Sequence, residues 1–323
     1  MTHQARRGRY APSPTGFLHL GNARTALVAW WRARATGSPF VMRVEDLDGP
    51  RTVAAALTGN LAELRWLGLD WDEGPDVGGP FGPYRQSERG EHYEWALGVL
   101  RDQGLIFECY LSRKDLRELA SAPHEQMPVY GPSERAANAA CEAEKRAEGK
   151  MPSLRVRLEP QQITFTDLLA GPRSVAVHDK IGDFVVRRAD GLWAYQLAVV
   201  VDDIAMQIGE VVRGDDLLTS TAAQLVLYRA LGAKPPQYLH VPLLLDDTGE
   251  RMAKRRGSLT LKALQEDGVR PERVVGLLAY TLGLLDELRE ISAREMIAAF
   301  SVDRLSRKAG RLEPPHLTWL YNS

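Results

Sequence analysis

The stretch from Arg9 to Arg24 limits most strongly what this chain folds into. A strand-like start passes through Pro12, Ser13, Pro14, Thr15 and Gly16 and ends at the head of an amphipathic helix, with His19 and Gly21 at the junction. Such a strand–turn–helix junction suits phosphate. Backbone N–H groups at a helix start lack intrahelical partners, and the helix dipole is positive there. The prolines restrict the turn, and Gly21 lets a ligand approach the main chain. His19 adds a ring donor inside the turn.

The pattern downstream predicts an α/β fold. Thr25 to Ala35 reads as a helix with an apolar face of Leu27, Val28, Trp30 and Trp31 that stops before Gly37. Phe40 to Val44 reads as a buried strand followed by Glu45, Asp46 and Asp48, and Leu57 to Leu67 as a helix. Alternating strands and helices predict a parallel sheet whose C-terminal edge binds ligands. Glu88 to Gln103 reads as a helix, Asp183 to Arg188 and Glu210 to Gly214 as strands, Thr219 to Leu231 as a helix, and Tyr238 to Leu245 as a strand. Between Phe107 and Arg173 short strands, a proline-rich turn and a charged helix from Ser133 to Gly149 read as an insertion. The expected division is therefore 1–106 and 174–258 for two halves of a nucleotide-binding fold, 107–173 for an inserted subdomain, and 259–323 for a helical tail.

Composition narrows the function. At 323 residues, with 44% apolar and 26% charged residues, the chain has an ordinary globular make-up. A net charge of −1 argues against non-specific nucleic-acid binding but leaves room for a local RNA groove. Two cysteines, Cys109 and Cys141, make no disulfide framework and point to a reducing, cytoplasmic setting. Arg6, Arg7 and Arg9 have no apolar segment behind them, so no signal peptide is expected. The run Val274 to Asp286 is too short to span a bilayer, so no membrane partner is expected. Asp202, Asp203, Asp215 and Asp216 read as capping or solvated groups, and Arg304, Arg307, Lys308 and Arg311 as a solvated helix face.

A second motif follows the Tyr238 to Leu245 strand. Arg251-Met252-Ala253-Lys254-Arg255-Arg256 forms a basic, glycine-flanked loop suited to charge on a polyphosphate. Together, His19-Leu20-Gly21-Asn22 and Arg251-Met252-Ala253-Lys254-Arg255 resemble the two signatures of class I aminoacyl-tRNA synthetases. Asn22 stands where the second histidine of the first signature is usual, and Ala253 and Arg255 replace two serines of the second. The flanks resemble the glutamyl-tRNA synthetase catalytic domain: Arg9 to Arg24, Arg43-Val44-Glu45-Asp46, Tyr84 to Arg89, Arg187 to Gly191, Tyr195 to Asp203 and Val212-Arg213-Gly214. Only residues 259–323 follow the basic loop, so the chain resembles the short paralogous family, the glutamyl-Q tRNA(Asp) synthetases.

The resemblance implies a class I Rossmann-like sheet and a monomeric ligase. It would activate L-glutamate with ATP and Mg²⁺ and place it on the queuosine base of tRNA(Asp). It assigns His19 and Lys254 to catalysis, and His19, Gly21, Asn22, Arg251, Met252 and Lys254 to ATP. It assigns Arg9, Tyr10, Ala11, Pro12, Ser13, Glu45, Tyr195 and Arg213 to glutamate. The arginines make physical sense, because guanidinium pairs carboxylates bidentately. No side chain identifies itself as the base for transfer. Many members of the family carry zinc on a Cys-x-Cys pair and a Tyr-x3-Cys. Here Leu111 follows Cys109 and Glu134 follows Tyr130 at those positions, so zinc is not expected on Cys109, His124, Tyr130 and Glu134. Three alternatives stay open: a truncated glutamyl-tRNA synthetase charging the tRNA terminus, a nucleotidylyltransferase with a similar His-x-Gly turn, and a non-catalytic RNA-binding relic.

Overall fold

The computed structural model of the chain describes residues 6–120, 129–250 and 259–321. The first part runs β1 (Gly8–Tyr10), α1 (Leu20–Ala35), β2 (Phe40–Met42), α2 (Ala54–Trp66) and α3 (Gly90–Asp102). Then come β3 (Ile106–Cys109), α4 (Arg113–Ala120), α5 (Pro132–Ala147), β4 (Ser153–Val156), β5 (Gln162–Asp167), β6 (Gly171–Ala176), α6 (Val177–Lys180) and β7 (Phe184–Arg187). The chain continues through α7 (Tyr195–Ala205), β8 (Glu210–Gly214), α8 (Ser220–Ala230), β9 (Gln237–Val241) and β10 (Leu244–Leu245). It ends with α9 (Leu261–Glu266), α10 (Pro271–Thr281), β11 (Gly310–Arg311) and α11 (Pro314–Tyr321).

Six strands form one sheet in the order β2-β1-β8-β9-β5-β6. All neighbours are parallel except the β5–β6 hairpin at one edge. Phe40, Val41 and Met42 are wholly buried, as expected of a strand covered on both faces. Helix α1 is buried almost all round, with Leu27, Val28, Trp30 and Trp31 in the main core. The reason is the C-terminal region: α10 packs on α1, and Trp31 Nε1–H donates to the carbonyl of Ala293 at 2.8 Å. Gly37 lies at φ +62° just beyond the helix, where its lack of a side chain permits the turn.

A second, antiparallel sheet is ordered β3-β4-β7. Strand pairing therefore does not follow the expected boundary at residue 173. β5 and β6 extend the large sheet through Asp167 opposite Tyr238, and β7 closes the small one. Strands this short carry no sequence signal of partner choice. The expected strand from Tyr238 to Leu245 divides at Pro242, which has no N–H to donate. Arg304, Arg307, Lys308 and Arg311 are not a helix face. A 3₁₀ turn ends at Arg304, whose guanidinium donates to the Leu284 carbonyl, and Arg311 sits in β11.

In the small-sheet region, Cys109, Leu116 and Tyr130 share an apolar cluster. The Glu134 carboxylate accepts the Gly131 N–H at 2.8 Å and so completes the start of α5. His124 lies outside the described residues. No helix among the described residues is long and apolar enough to cross a membrane.

The turn after β1 is held from below by α2. Glu63, 3% exposed, accepts the Leu18 N–H at 3.0 Å. Burial pushes its carboxyl up to about 7, against the Leu18 N–H and Lys262, which both favour the charged form. The fold thus prefers the protonated acid, and stability is lost as pH rises through that value. Glu63→Gln keeps the acceptor for Leu18. It should leave stability unchanged at about pH 4 and raise it by up to about 3 kcal/mol at about pH 8.5, read by denaturant unfolding.

Candidate active site

β1 lies between β2 and β8, so successive connections leave it on opposite sides. Open α/β sheets bind ligands in the crevice at the C-terminal end of such a strand. A cavity of about 550 Å³ opens there. Its wall includes Arg9, Tyr10, Ala11, Pro12 and Ser13 from β1 and its turn, and His19, Gly21 and Asn22 from the head of α1. Glu45 enters from beyond β2, Tyr195 from the start of α7, and Arg213 from the end of β8. Every sequence-derived site residue that is described therefore faces one cavity. Arg251, Met252 and Lys254 lie outside the described residues. The segment just after them is tied to the opening turn. Leu20 N–H donates to the Leu259 carbonyl at 3.3 Å, and Leu261 N–H donates to the Leu18 carbonyl at 2.7 Å.

The head of α1 differs from the expected nest of unpaired N–H groups. His19 is the N-cap, and its Nδ1 accepts from Gly21 N–H at 3.1 Å and Asn22 N–H at 3.3 Å. Asn22 Oδ1 accepts the His19 N–H in return at 3.2 Å, a capping box with histidine in the place of serine. An Nδ1 that accepts leaves the ring proton on Nε2, so the ring itself becomes the donor at this end of the cavity. Gly21 is needed for the cap as well as for ligand approach: a Cβ there would stand 3.0 Å from His19 Cε1.

Behind the cavity wall, reached through Arg9 and Glu45, lies a buried ion network that pattern reading missed. Asp202 and Asp203 are neither caps nor solvated. Arg43, fully buried, donates to Asp203 at 2.7 Å and to Glu45 at 3.0 Å. Arg89 donates to Asp202 at 2.6 Å, and Gln86 and Tyr93 complete the Asp202 shell at 2.7 and 3.0 Å. Among the described residues Arg9 makes only long bonds, at 3.4 Å to Asp203 and 3.4 Å to the Val212 carbonyl. Burial pushes Glu45 above the usual carboxylate range, although Arg43 and Arg9 oppose it. Burial works the same way on Asp203, but there Arg43 and Arg9 win and hold it below that range. The available sequence signal was two acids in the last turn of a helix, a position the dipole disfavours unless cations face it.

Arg213 is held differently. Its Nε donates to His240 at 3.0 Å, Nη1 to Gln224 at 2.8 Å and Nη2 to Thr221 at 2.8 Å. All are neutral oxygen or nitrogen acceptors. A second cavity of about 1120 Å³ adjoins the first and shares Ser13, Thr15, Glu45 and Tyr195 with it. It runs toward the small sheet past Arg51, Arg155, Arg188 and Trp193.

The cap at His19 yields a thermodynamic cycle. Alanine in place of a helical glycine ordinarily gains about 0.5–1 kcal/mol. Gly21→Ala should show no such gain, because its methyl displaces the His19 ring. The same change in a His19→Ala background should recover the full gain. Chemical denaturation of the four proteins measures the coupling, and additive effects would remove the cap from the account.

The family model for class I tRNA synthetases (E and Q), catalytic domain, matches residues 6–319. A glutamyl-Q tRNA(Asp) synthetase of Symbiobacterium thermophilum is 50% identical, over 94% of this chain and 95% of that protein. A glutamate–tRNA ligase 2 of Syntrophus aciditrophicus is 40% identical, over 97% of this chain but 65% of that protein. The crystal structure of a glutamate tRNA ligase from Elizabethkingia meningosepticum, in complex with its amino acid, superposes with a TM-score of 0.85. That match has 26% identity and covers 98% of this chain and 69% of the other. With the site at the sheet's switch point and the match running almost end to end, the chain belongs to the class I glutamyl and glutaminyl tRNA synthetase catalytic-domain family.

Proposed function

We propose that this protein activates L-glutamate with ATP as glutamyl-adenylate and transfers the glutamyl group to the queuosine base of tRNA(Asp). The charge layout of the cavity carries the reading. Arg9, Arg213 and Glu45 line a single crevice, whose wall also includes Arg24 and Asp216. A ligand with two carboxylates and one ammonium is their complement. The acceptor rests on the relatives. Proteins named glutamyl-Q tRNA(Asp) synthetase match at 46–50% identity over 91–95% of their own length. The glutamate–tRNA ligase 2 above matches over 65% of its length.

In the first step a glutamate α-carboxylate oxygen bonds to the α-phosphorus of ATP. The bond from that phosphorus to the bridging oxygen breaks, and pyrophosphate leaves. His19 donates through Nε2–H to phosphate oxygens, and Lys254 is assigned to the same task by family resemblance. Mg²⁺ accompanies the triphosphate and offsets its charge. In the second step a hydroxyl of the queuosine cyclopentene ring bonds to the glutamyl carbonyl carbon, the bond from that carbon to the phosphate oxygen breaks, and AMP leaves with the hydroxyl proton on its phosphate. The larger cavity, continuous with the first at Ser13, Thr15, Glu45 and Tyr195, supports a nucleotide acceptor entering beside the adenylate. Two free cysteines fit a reducing cytoplasm.

Labelled glutamate should attach to tRNA(Asp) that carries queuosine and not to the same tRNA without it. Charging of unmodified tRNA would overturn the acceptor. Glu45→Gln should lower glutamate-dependent ATP–pyrophosphate exchange by about a hundredfold, since a charged hydrogen bond to the ammonium is lost. Because the Glu45 carboxyl titrates above the usual range, the wild-type KM for glutamate should rise on acidification at a pH above that of an ordinary glutamate side chain. The variant should show no such limb in its pH profile.

A further inference from the structure

Arg24 and Arg213 are both buried in the cavity wall and both stand outside the ion pairs of the described residues; Arg24 donates to the Pro242 and Thr281 carbonyls, whereas Arg213 is held mainly by side chains. Arg9 and Arg43 lie within salt-bridge distance of carboxylates, and so does Arg89. Among the described residues none of the ion pairs involves Arg213, although it is 5% exposed. A guanidinium buried this way keeps its charge available to an incoming anion, yet something must hold its plane.

The holder crosses three neighbouring strands. Arg213 on β8 and His240 on β9 are direct partners in register, and β5 joins β9 through the pairing at Asp167. Asp167, 1% exposed, accepts the His240 ring Nδ1–H at 2.7 Å and the His240 backbone N–H at 3.0 Å. Its other oxygen accepts Leu169 N–H at 2.9 Å and Ala170 N–H at 2.7 Å. Burial pushes this carboxyl up, but the His240 and backbone donors outweigh it and hold it below its usual range. Asp167 is therefore an acceptor only, and the His240 proton between them sits on Nδ1. On the far side of the ring, Arg213 Nε–H has no lone pair and only donates, 3.0 Å from His240 Nε2. Only one tautomer, the neutral Nδ1–H form, satisfies both neighbours. Burial, then Arg213, also disfavour the imidazolium, against Asp167 and the more distant Asp215. Tyr238 stacks on the His240 ring at 5.9 Å and lies beneath the Arg213 guanidinium at 5.2 Å, and Thr221 Oγ1 lies 3.2 Å from His240 Nε2.

We propose that Asp167 and His240 are positioning residues, forming a carboxylate–imidazole–guanidinium relay that fixes the Arg213 plane while leaving its charge for a substrate carboxylate. The relay deepens the glutamate reading of the cavity and rests on it. An imidazole does what a carboxylate in the same place would not. It takes the Nε–H without neutralising the cation. Selection for a carboxylate over the uncharged amide of glutamine follows, because the open charge is satisfied only by an anion.

Two near-isosteric substitutions separate the halves of the relay. His240→Gln keeps an acceptor toward Arg213, and His240→Asn keeps a donor toward Asp167 but withdraws from Arg213. In glutamate-dependent ATP–pyrophosphate exchange, His240→Asn should raise the KM for glutamate about tenfold or more, with the KM for ATP moved less than about twofold. His240→Gln should keep the glutamate KM within about threefold of wild type. Equal effects of the two variants, or an unchanged glutamate KM in folded His240→Asn, would overturn the relay. The ring itself gives a readout that needs no variant turnover. Nitrogen-15 histidine spectra of the wild-type protein, assigned by loss of the signal in His240→Gln, should show protonated Nδ1 and bare Nε2 at neutral pH. A protonated Nε2 would also overturn it. Wild-type protein that shows no glutamate-dependent exchange would instead overturn the glutamate reading, while the tautomer still reports on the relay.

Discussion

Arg43 is a fully buried cation, and the ion network behind the cavity is organised around keeping it paired. Its guanidinium meets Asp203 and Glu45, while Arg89 and Arg9 join through Asp202 and Asp203. Three cations thus share three carboxylates drawn from β1, the segment after β2, the N-cap of α3, and α7. Removing one member of such a set leaves an uncompensated buried charge, at a cost of about 3–5 kcal/mol. The network therefore fixes how β1, β2 and α7 sit against one another. It also fixes Glu45 and Arg9 before any ligand arrives. Preorganised charge of this kind costs no rearrangement when a reaction moves charge past it.

The network also explains an arrangement that looks unfavourable in isolation. Asp202 and Asp203 sit in the last turn of α7, where the helix dipole repels negative charge. Facing arginines reverse the balance, because contact pairing of buried charges exceeds a dipole effect of about 1 kcal/mol. Glu45 is the member for which burial still wins. It is the one acid of the three on the cavity wall, so the least satisfied carboxylate in the set is also the one open to a ligand's ammonium.

Much of this was legible in the chain because local rules and tertiary structure agree there. The strand, turn and helix from Arg9 to Ala35, the strand at Phe40, and the strand end at Arg213 are all where apolar spacing and turn residues put them. The residues expected around the cavity lie in or just after β1, β2 and β8 or at the heads of α1 and α7, and it was the family resemblance of these stretches that pointed to them. What stayed hidden depends on partner choice. Asp202 pairs with Arg89 across 113 residues of sequence, and His240 pairs with Asp167 across 73. Nothing in either neighbourhood announces the other. The sheet membership of β5 and β7 stayed hidden for that reason too, because both are ordinary short strands whose pairing is decided by the packed core.

Two imidazoles flank the cavity and are wired in opposite senses. His19 accepts at Nδ1 from two N–H groups of α1, so its remaining ring nitrogen donates. His240 donates at Nδ1 to Asp167, so its remaining ring nitrogen accepts. In both, the partner on Nδ1 sets what Nε2 offers. Polarisation along such chains strengthens each end. The His19 ring therefore carries the positive end of the α1 dipole one step further into the cavity, and does so although the N–H groups themselves are capped. The His240 ring brings the influence of a carboxylate to Arg213 without bringing the carboxylate itself. One residue type thereby serves the two opposite needs of an anion site, a donor at one end and an unneutralised cation held in place at the other.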